Sequence, residues 1–194
     1  MNKHLQEMKT AIQAYHKTVK DLQTRYENAK QIYVPEALEK EKELIDQKRN
    51  QARATATEAI RKARDEAIQG VKDWGTVHGG KLTDDVKLLE VGVTPEQFDT
   101  LVDRYKDNYS MLQALSNYGN RQNRQIEKEN AGKGFIPDTR YSVERIPDLD
   151  SMTTRWEKLG ESAVSTLHNL DSSDPFTRSL TESGVERWGD NVDI

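Results

Sequence analysis

The sequence predicts an all-α protein: a long N-terminal helical hairpin or kinked coiled-coil arm, then a small helical unit and an extended C-terminal tail. Three observations carry this. Apolar residues recur at heptad spacing over the first 33 positions. A hydrophobic fraction of 34 % beside a charged fraction of 32 % favours long solvated helices over a large compact core. Thr94-Pro95-Glu96-Gln97 is a strong helix start, with Thr at the cap, Pro in the first helical position and Gln three residues after the cap.

The first helix is expected over 3–33. Leu5, Met8, Ile12, Tyr15, Val19, Leu22, Tyr26, Ala29 and Tyr33 follow one another at alternating steps of three and four. At 1.5 Å per residue this helix reaches about 46 Å. A seam this narrow must lie against another helix, from the same chain or from a partner. Tyr15, Tyr26 and Tyr33 occupy seam positions, where a phenol buries apolar surface but needs an outlet for its hydroxyl. Tyrosine there points to a looser or larger assembly than a simple zipper, or to a seam that packs on another kind of surface. The alternative is an intramolecular hairpin with tyrosine tips in water. The expected partner-binding residues are Leu5, Met8, Ile12, Tyr15, Val19, Leu22, Tyr26 and Tyr33, with Phe176 and Trp188 in the tail.

Val34-Pro35 interrupts the pattern. Pro35 disfavours helical geometry at Val34 but suits the first turn of a new helix, expected over 36–73. The spacing then changes. Ile45, Ala56 and Ala67 are eleven apart, as are Ile60 and Val71, and Ala52, Ala63 and Trp74. An eleven-residue repeat gives a straight or slightly right-handed strip, unlike the left-handed heptad seam. Pro35 stands either at the tip of an antiparallel hairpin or at a kink in one rod.

Gly75, Gly79 and Gly80 end this arm, which spans 1–75. A helical unit follows at 82–119. Thr83, Asp84 and Asp85 can cap a short helix carrying Val86, Leu88 and Leu89. Phe98, Leu101, Val102 and Tyr105 form the apolar face of the next helix. Asn108 or Ser110 caps a third, with Met111, Leu112, Leu115 and Tyr118, and Gly119 is its expected stop. Residues 120–150 read as an irregular linker with a small echo, Ile136-Pro137-Asp138 and Ile146-Pro147-Asp148. A last helix, 151–170, starts at Asp150 or Ser151 and carries Met152, Trp156, Leu159, Val164, Leu167 and Leu170.

Charge is uneven. Residues 1–73 carry +3, 74–150 carry −3 and the tail 171–194 carries −4. Sparse apolar residues on this acidic tail (Phe176, Leu180, Val185, Trp188, Val192, Ile194) suit a segment ordered by a partner, or anchors that pack on the last helix.

The search for reactive chemistry yields no catalytic, cofactor-binding or metal residue. There is no cysteine, and His4, His16, His78 and His168 show no metal-ligand spacing. His78-Gly79-Gly80-Lys81 reads as a hinge. Asp99, Asp103 and Asp107 form a helical acidic row that reads as a solvated face. Arg121, Arg124 and Lys128 make the most basic stretch, but Glu127 and Glu129 adjoin it and stacking aromatics are lacking, so nucleic acid is not an expected partner. Met1 to Glu7 lacks the apolar core of a signal peptide, and no run approaches the ~20 apolar residues of a membrane span. The expectation is a soluble protein made and kept in a cytoplasm, or released from one by lysis.

The segment 82–118 carries Leu-Thr-Asp-Asp-Val-Lys-Leu-Leu, then Val-Thr-Pro-Glu-Gln-Phe-Asp-Thr-Leu-Val-Asp-Arg-Tyr-Lys-Asp-Asn, then Ser-Met-Leu-Gln-Ala-Leu. It resembles helical segments of phage- and prophage-encoded virion-assembly (scaffold-like) proteins of Gram-positive bacteria. The resemblance implies a non-enzymatic structural or assembly protein acting through helix-mediated self-association and contacts with other virion proteins. The alternative is a soluble inhibitor or adaptor that binds a host protein, with the acidic tail mimicking an acidic ligand.

Overall fold

The computed structural model describes residues 3–133 and 140–190. Among them are seven α-helices and no strand, so the all-α class holds. They are α1 (Lys3–Ile32), α2 (Pro35–Trp74), α3 (Val86–Val91), α4 (Pro95–Arg104), α5 (Tyr109–Glu129), α6 (Leu149–Leu170) and α7 (Pro175–Val185). Short 3-10 turns lie at Gly79–Lys81 and Val143–Arg145. The chain divides into two compact units: residues 1–69 with 153–194, and residues 70–152.

In the first unit, the heptad positions Leu5, Met8, Ile12, Tyr15, Val19, Leu22 and Ala29 are the buried residues of α1. From α2 the eleven-residue pattern brings in Ile45, Ala56, Ile60, Ala63 and Ala67. The buried positions 45, 56, 60, 63 and 67 fall on steps drawn from a repeating 4-4-3 series, the signature of an eleven-residue period. Arg25 of α1 pairs with Glu41 of α2, and the His4 ring lies 3.9 Å from Glu66. Higher numbers on α1 therefore meet lower numbers on α2. Only Tyr33 and Val34 stand between the two helices, and Val34 accepts hydrogen bonds from the backbone of Ala37 and Leu38 at 3.0 Å.

α6 adds Trp156, Gly160, Ala163, Leu167 and Leu170 to this core. The Tyr15 hydroxyl donates to Asp171, just past α6, and Asp171 is 3.7 Å from Arg53 of α2. This is the outlet that a buried seam tyrosine requires. Burial, with the Asp171 hydrogen bond, pushes the Tyr15 hydroxyl pKa up. Residues 175–185 are helical, so the extended tail expected from the sequence is replaced there by α7. Asp174 caps α7, accepting from the backbone of Phe176 and Thr177, and Pro175 fills the first turn. Val185 is buried, and Lys9 of α1 pairs with Asp190 beyond α7. Gly189 has φ +79°, and a Cβ there would come within 3.1 Å of Leu5 Cδ1. Both the backbone and the close approach call for glycine. Val192 and Ile194 lie outside the described residues.

The second unit is built on Leu89, Phe98, Leu101, Val102, Leu112, Leu115 and Tyr118, with Trp74, Tyr141, Val143 and Ile146 packed against them. Thr94 and Gln97 form the reciprocal cap at the start of α4: Gln97 N donates to the Thr94 hydroxyl at 3.3 Å, and Thr94 N to Gln97 Oε1 at 2.9 Å. Asn108, rather than Ser110, caps α5. Ser110 is buried and accepts from His78 N at 2.9 Å, while Asn108 donates to the Lys81 carbonyl at 2.8 Å. These bonds make 78–81 a fixed turn instead of the hinge expected from its glycines.

α5 does not stop at Gly119 but runs on to Glu129, which converts the first third of the expected linker to helix. Gly119 lies mid-helix because side chains need its space: a Cβ there would sit 2.5 Å from Val143 Cγ1 and 3.0 Å from Phe98 Cζ. Phe98, Tyr118 and Tyr141 form an aromatic cluster with centroid separations of 5.3–6.3 Å. Tyr118 accepts from Val93 N, and Tyr141 donates to the Val93 carbonyl at 2.6 Å. Burial, aided by Tyr118, pushes the Tyr141 pKa up to about 12. Of the two Ile-Pro-Asp echoes, Ile146 packs on this core. The other, at 136–138, lies outside the described residues.

Candidate interaction surfaces

The expected partner-binding residues divide into three groups. Leu5, Met8, Ile12, Tyr15, Val19 and Leu22 are buried against helices of their own chain, so the seam is interior and not an open surface. The periodic signal marked a buried face correctly but does not say which chain covers it. Tyr26 and Trp188 are half-buried, with Lys30 Nζ lying 4.6 Å from the centre of the Tyr26 ring. Tyr33 and Phe176 are exposed.

The exposed members have neighbours that the sequence reading passed over. Ile32, Tyr33 and Val34 are consecutive and 76 %, 47 % and 67 % exposed. Their signal was present as two apolar residues off the heptad seam, immediately before Pro35. The corner they crown is held from beneath. Glu41 is buried, and the hydrogen bond from Arg25 holds its carboxyl below the usual carboxylate range. On α7, Phe176 and Leu180 are 71 % and 57 % exposed, one helical turn apart. Leu88 and Val91 form an exposed pair on α3 in the second unit.

The polar groups singled out earlier have structural employment. Arg145 reaches Asp99 at 3.5 Å and pairs with Asp103, so part of the acidic row is neutralised within the unit. Asp85 accepts from the Tyr105 hydroxyl at 2.7 Å and from Arg104 at 2.8 Å. Arg121, Arg124 and Lys128 are exposed along α5, with Arg121 5.7 Å from the centre of the Tyr118 ring. No described helix is long and apolar enough to cross a membrane.

Four carboxylates have lowered pKa values, each from hydrogen bonds to its charged form: Glu41 from Arg25, Asp85 from Tyr105 and then Arg104, Glu96 from its own backbone N–H and the Thr94 side chain, and Asp174 from the Thr177 side chain and backbone. A depressed folded-state pKa contributes stability that is full above the unfolded value. It is lost as pH falls through the folded value. Ordinary carboxylates titrate near about pH 4. Helicity followed by circular dichroism is therefore expected to hold from neutral pH to about pH 4 and to fall below it. In Glu41→Gln and Asp85→Asn the neutral-pH stability should be lower and the acid slope shallower. An unchanged slope in both would rule these bonds out as its source.

Comparison of the chain with protein-family models, with curated proteins and with solved structures gives no match.

Proposed function

We propose that this chain is a non-enzymatic structural or assembly protein of the phage virion type, working through protein–protein contacts of its helices. The observation that carries the reading is the run Ile32-Tyr33-Val34, three apolar residues exposed together where α1 gives way to α2. The sequence offers ample polar residues for a solvated corner, yet presents apolar ones over a fixed ion pair. Grouped exposed apolar residues of this kind are characteristic of contact surfaces. On this reading α1 and α2 form a helical hairpin arm whose apolar corner meets a second copy or another virion protein. The protein then resides in the virion or the host cytoplasm.

The test is sedimentation at micromolar concentration. The parent chain should sediment as an assembly, and Ile32→Glu/Val34→Glu as a monomer. Both positions are exposed, so thermal stability should move by no more than about 0.5 kcal/mol. A strictly monomeric parent chain would remove self-association from the account.

The second reading, a soluble inhibitor or adaptor for a host protein, draws on Phe176 and Leu180, exposed on a segment of net charge −4. Phe176→Ser/Leu180→Ser should then abolish host-protein capture and leave self-association intact. The opposite pattern favours assembly.

A further inference from the structure

We propose a divalent-cation site, suited to zinc, formed by His4, Glu7 and Glu66. His4 and Glu7 are one turn apart at the start of α1, and Glu66 comes from α2. His4 Nδ1 lies 3.2 Å from Glu7 Oε2 and 3.9 Å from Glu66 Oε2, and one donor atom from each of the three falls within 4.8 Å of the others.

These separations match the coordination chemistry. Zinc takes imidazole nitrogen and carboxylate oxygen at about 2.0–2.2 Å in a tetrahedron, whose edges are then about 3.3 Å. Closing the His4–Glu66 gap to that edge requires only a rotamer adjustment of a partly exposed glutamate. One nitrogen and two oxygens favour a borderline cation such as zinc over magnesium, which prefers an all-oxygen octahedron. Two glutamates are drawn toward one imidazole here. Lys3 stands 3.7 Å from Glu7 and Lys62 stands 3.8 Å from Glu66. A bound dication would replace these long, exposed ion pairs. The Trp156 ring meets the His4 ring edge-on at 6.2 Å between centroids and limits its rotation. The site escapes sequence inspection because its ligands are 3 and 62 residues from His4 and lie on different helices.

Bound metal would tie the first turn of α1, where helices fray, to α2. The experiment uses the full chain without an affinity tag at about pH 8, since metal affinity rises as protons compete less for the ligands. Equilibrium dialysis with zinc should give one ion per chain. At a hundredfold excess over Kd the melting temperature should rise by about 5 °C, with magnesium giving no rise. His4→Gln, Glu7→Gln and Glu66→Gln, each with unchanged helicity, should weaken zinc binding by about tenfold or more. Absence of bound zinc at about 1 mM overturns the proposal. So does parent-like binding by His4→Gln, which would put the ion elsewhere, or by Glu66→Gln, which would leave no link between the helices.

Discussion

Trp156→Ala is expected to cost the first unit about 3–5 kcal/mol, the range for emptying a fully buried aromatic site. Trp156 is among the largest fully buried side chains of the chain. The neighbours that would have to close the gap are helix-borne and cannot collapse independently. Domain stabilities are only about 5–15 kcal/mol, so the loss should be visible as a large fall in the urea midpoint. In Trp156→Ala/Trp188→Phe helicity and fluorescence should then report different transitions, because the remaining Trp74 belongs to the second unit and packs on Tyr109 at 5.0 Å. Trp156→Phe should restore part of the loss. An unchanged midpoint in Trp156→Ala would mean that α6 does not form the core of the first unit.

Gly119→Val should destabilise the second unit by about 2–3 kcal/mol. Adding side-chain atoms to a helical glycine normally removes the entropic penalty of glycine, and alanine is worth up to about 1 kcal/mol. Here the sign reverses. The new Cβ would lie 2.5 Å from Val143 and 3.0 Å from Phe98, and valine adds two methyls to that space. Gly70, also helical, is the control: nothing stands within 4 Å of a Cβ there. Gly70→Ala should raise stability by about 1 kcal/mol. If Gly119→Val raises the urea midpoint as Gly70→Ala does, Val143 and Phe98 do not close on Gly119.

Both experiments turn on what a one-dimensional reading could see. Periodicity was legible wherever a helix has one buried face, which is why the heptad positions up to Leu22, with Ala29, and the positions 45, 56, 60, 63, 67 and 71 of the eleven-residue pattern are buried, while Tyr26, Ala52 and Trp74 are only half-buried and Tyr33 is exposed. The cap at Thr94 was legible because every partner lies within three residues. Gly119 was misread because the reason for a glycine there comes from Val143, on another segment. α7 was missed although Asp174-Pro175 is itself a start signal, because acidic composition outweighed it. The candidate surfaces were least legible. A heptad seam looks the same whether its cover is another chain or α6 of its own. The exposed corner at Ile32-Tyr33-Val34 stands out only once the seam beside it is seen to be filled.

The first unit is made from two stretches of chain separated by the whole of the second. This imposes an order on synthesis. α1 emerges with its apolar face early, but Trp156, Ala163 and Leu167, buried in the same unit, are made only after residues 70–152. At about 5–20 residues per second the delay is about 4–17 s. The second unit is continuous and can fold as it appears. During that interval the nascent arm carries an apolar face that its own chain has not yet finished covering.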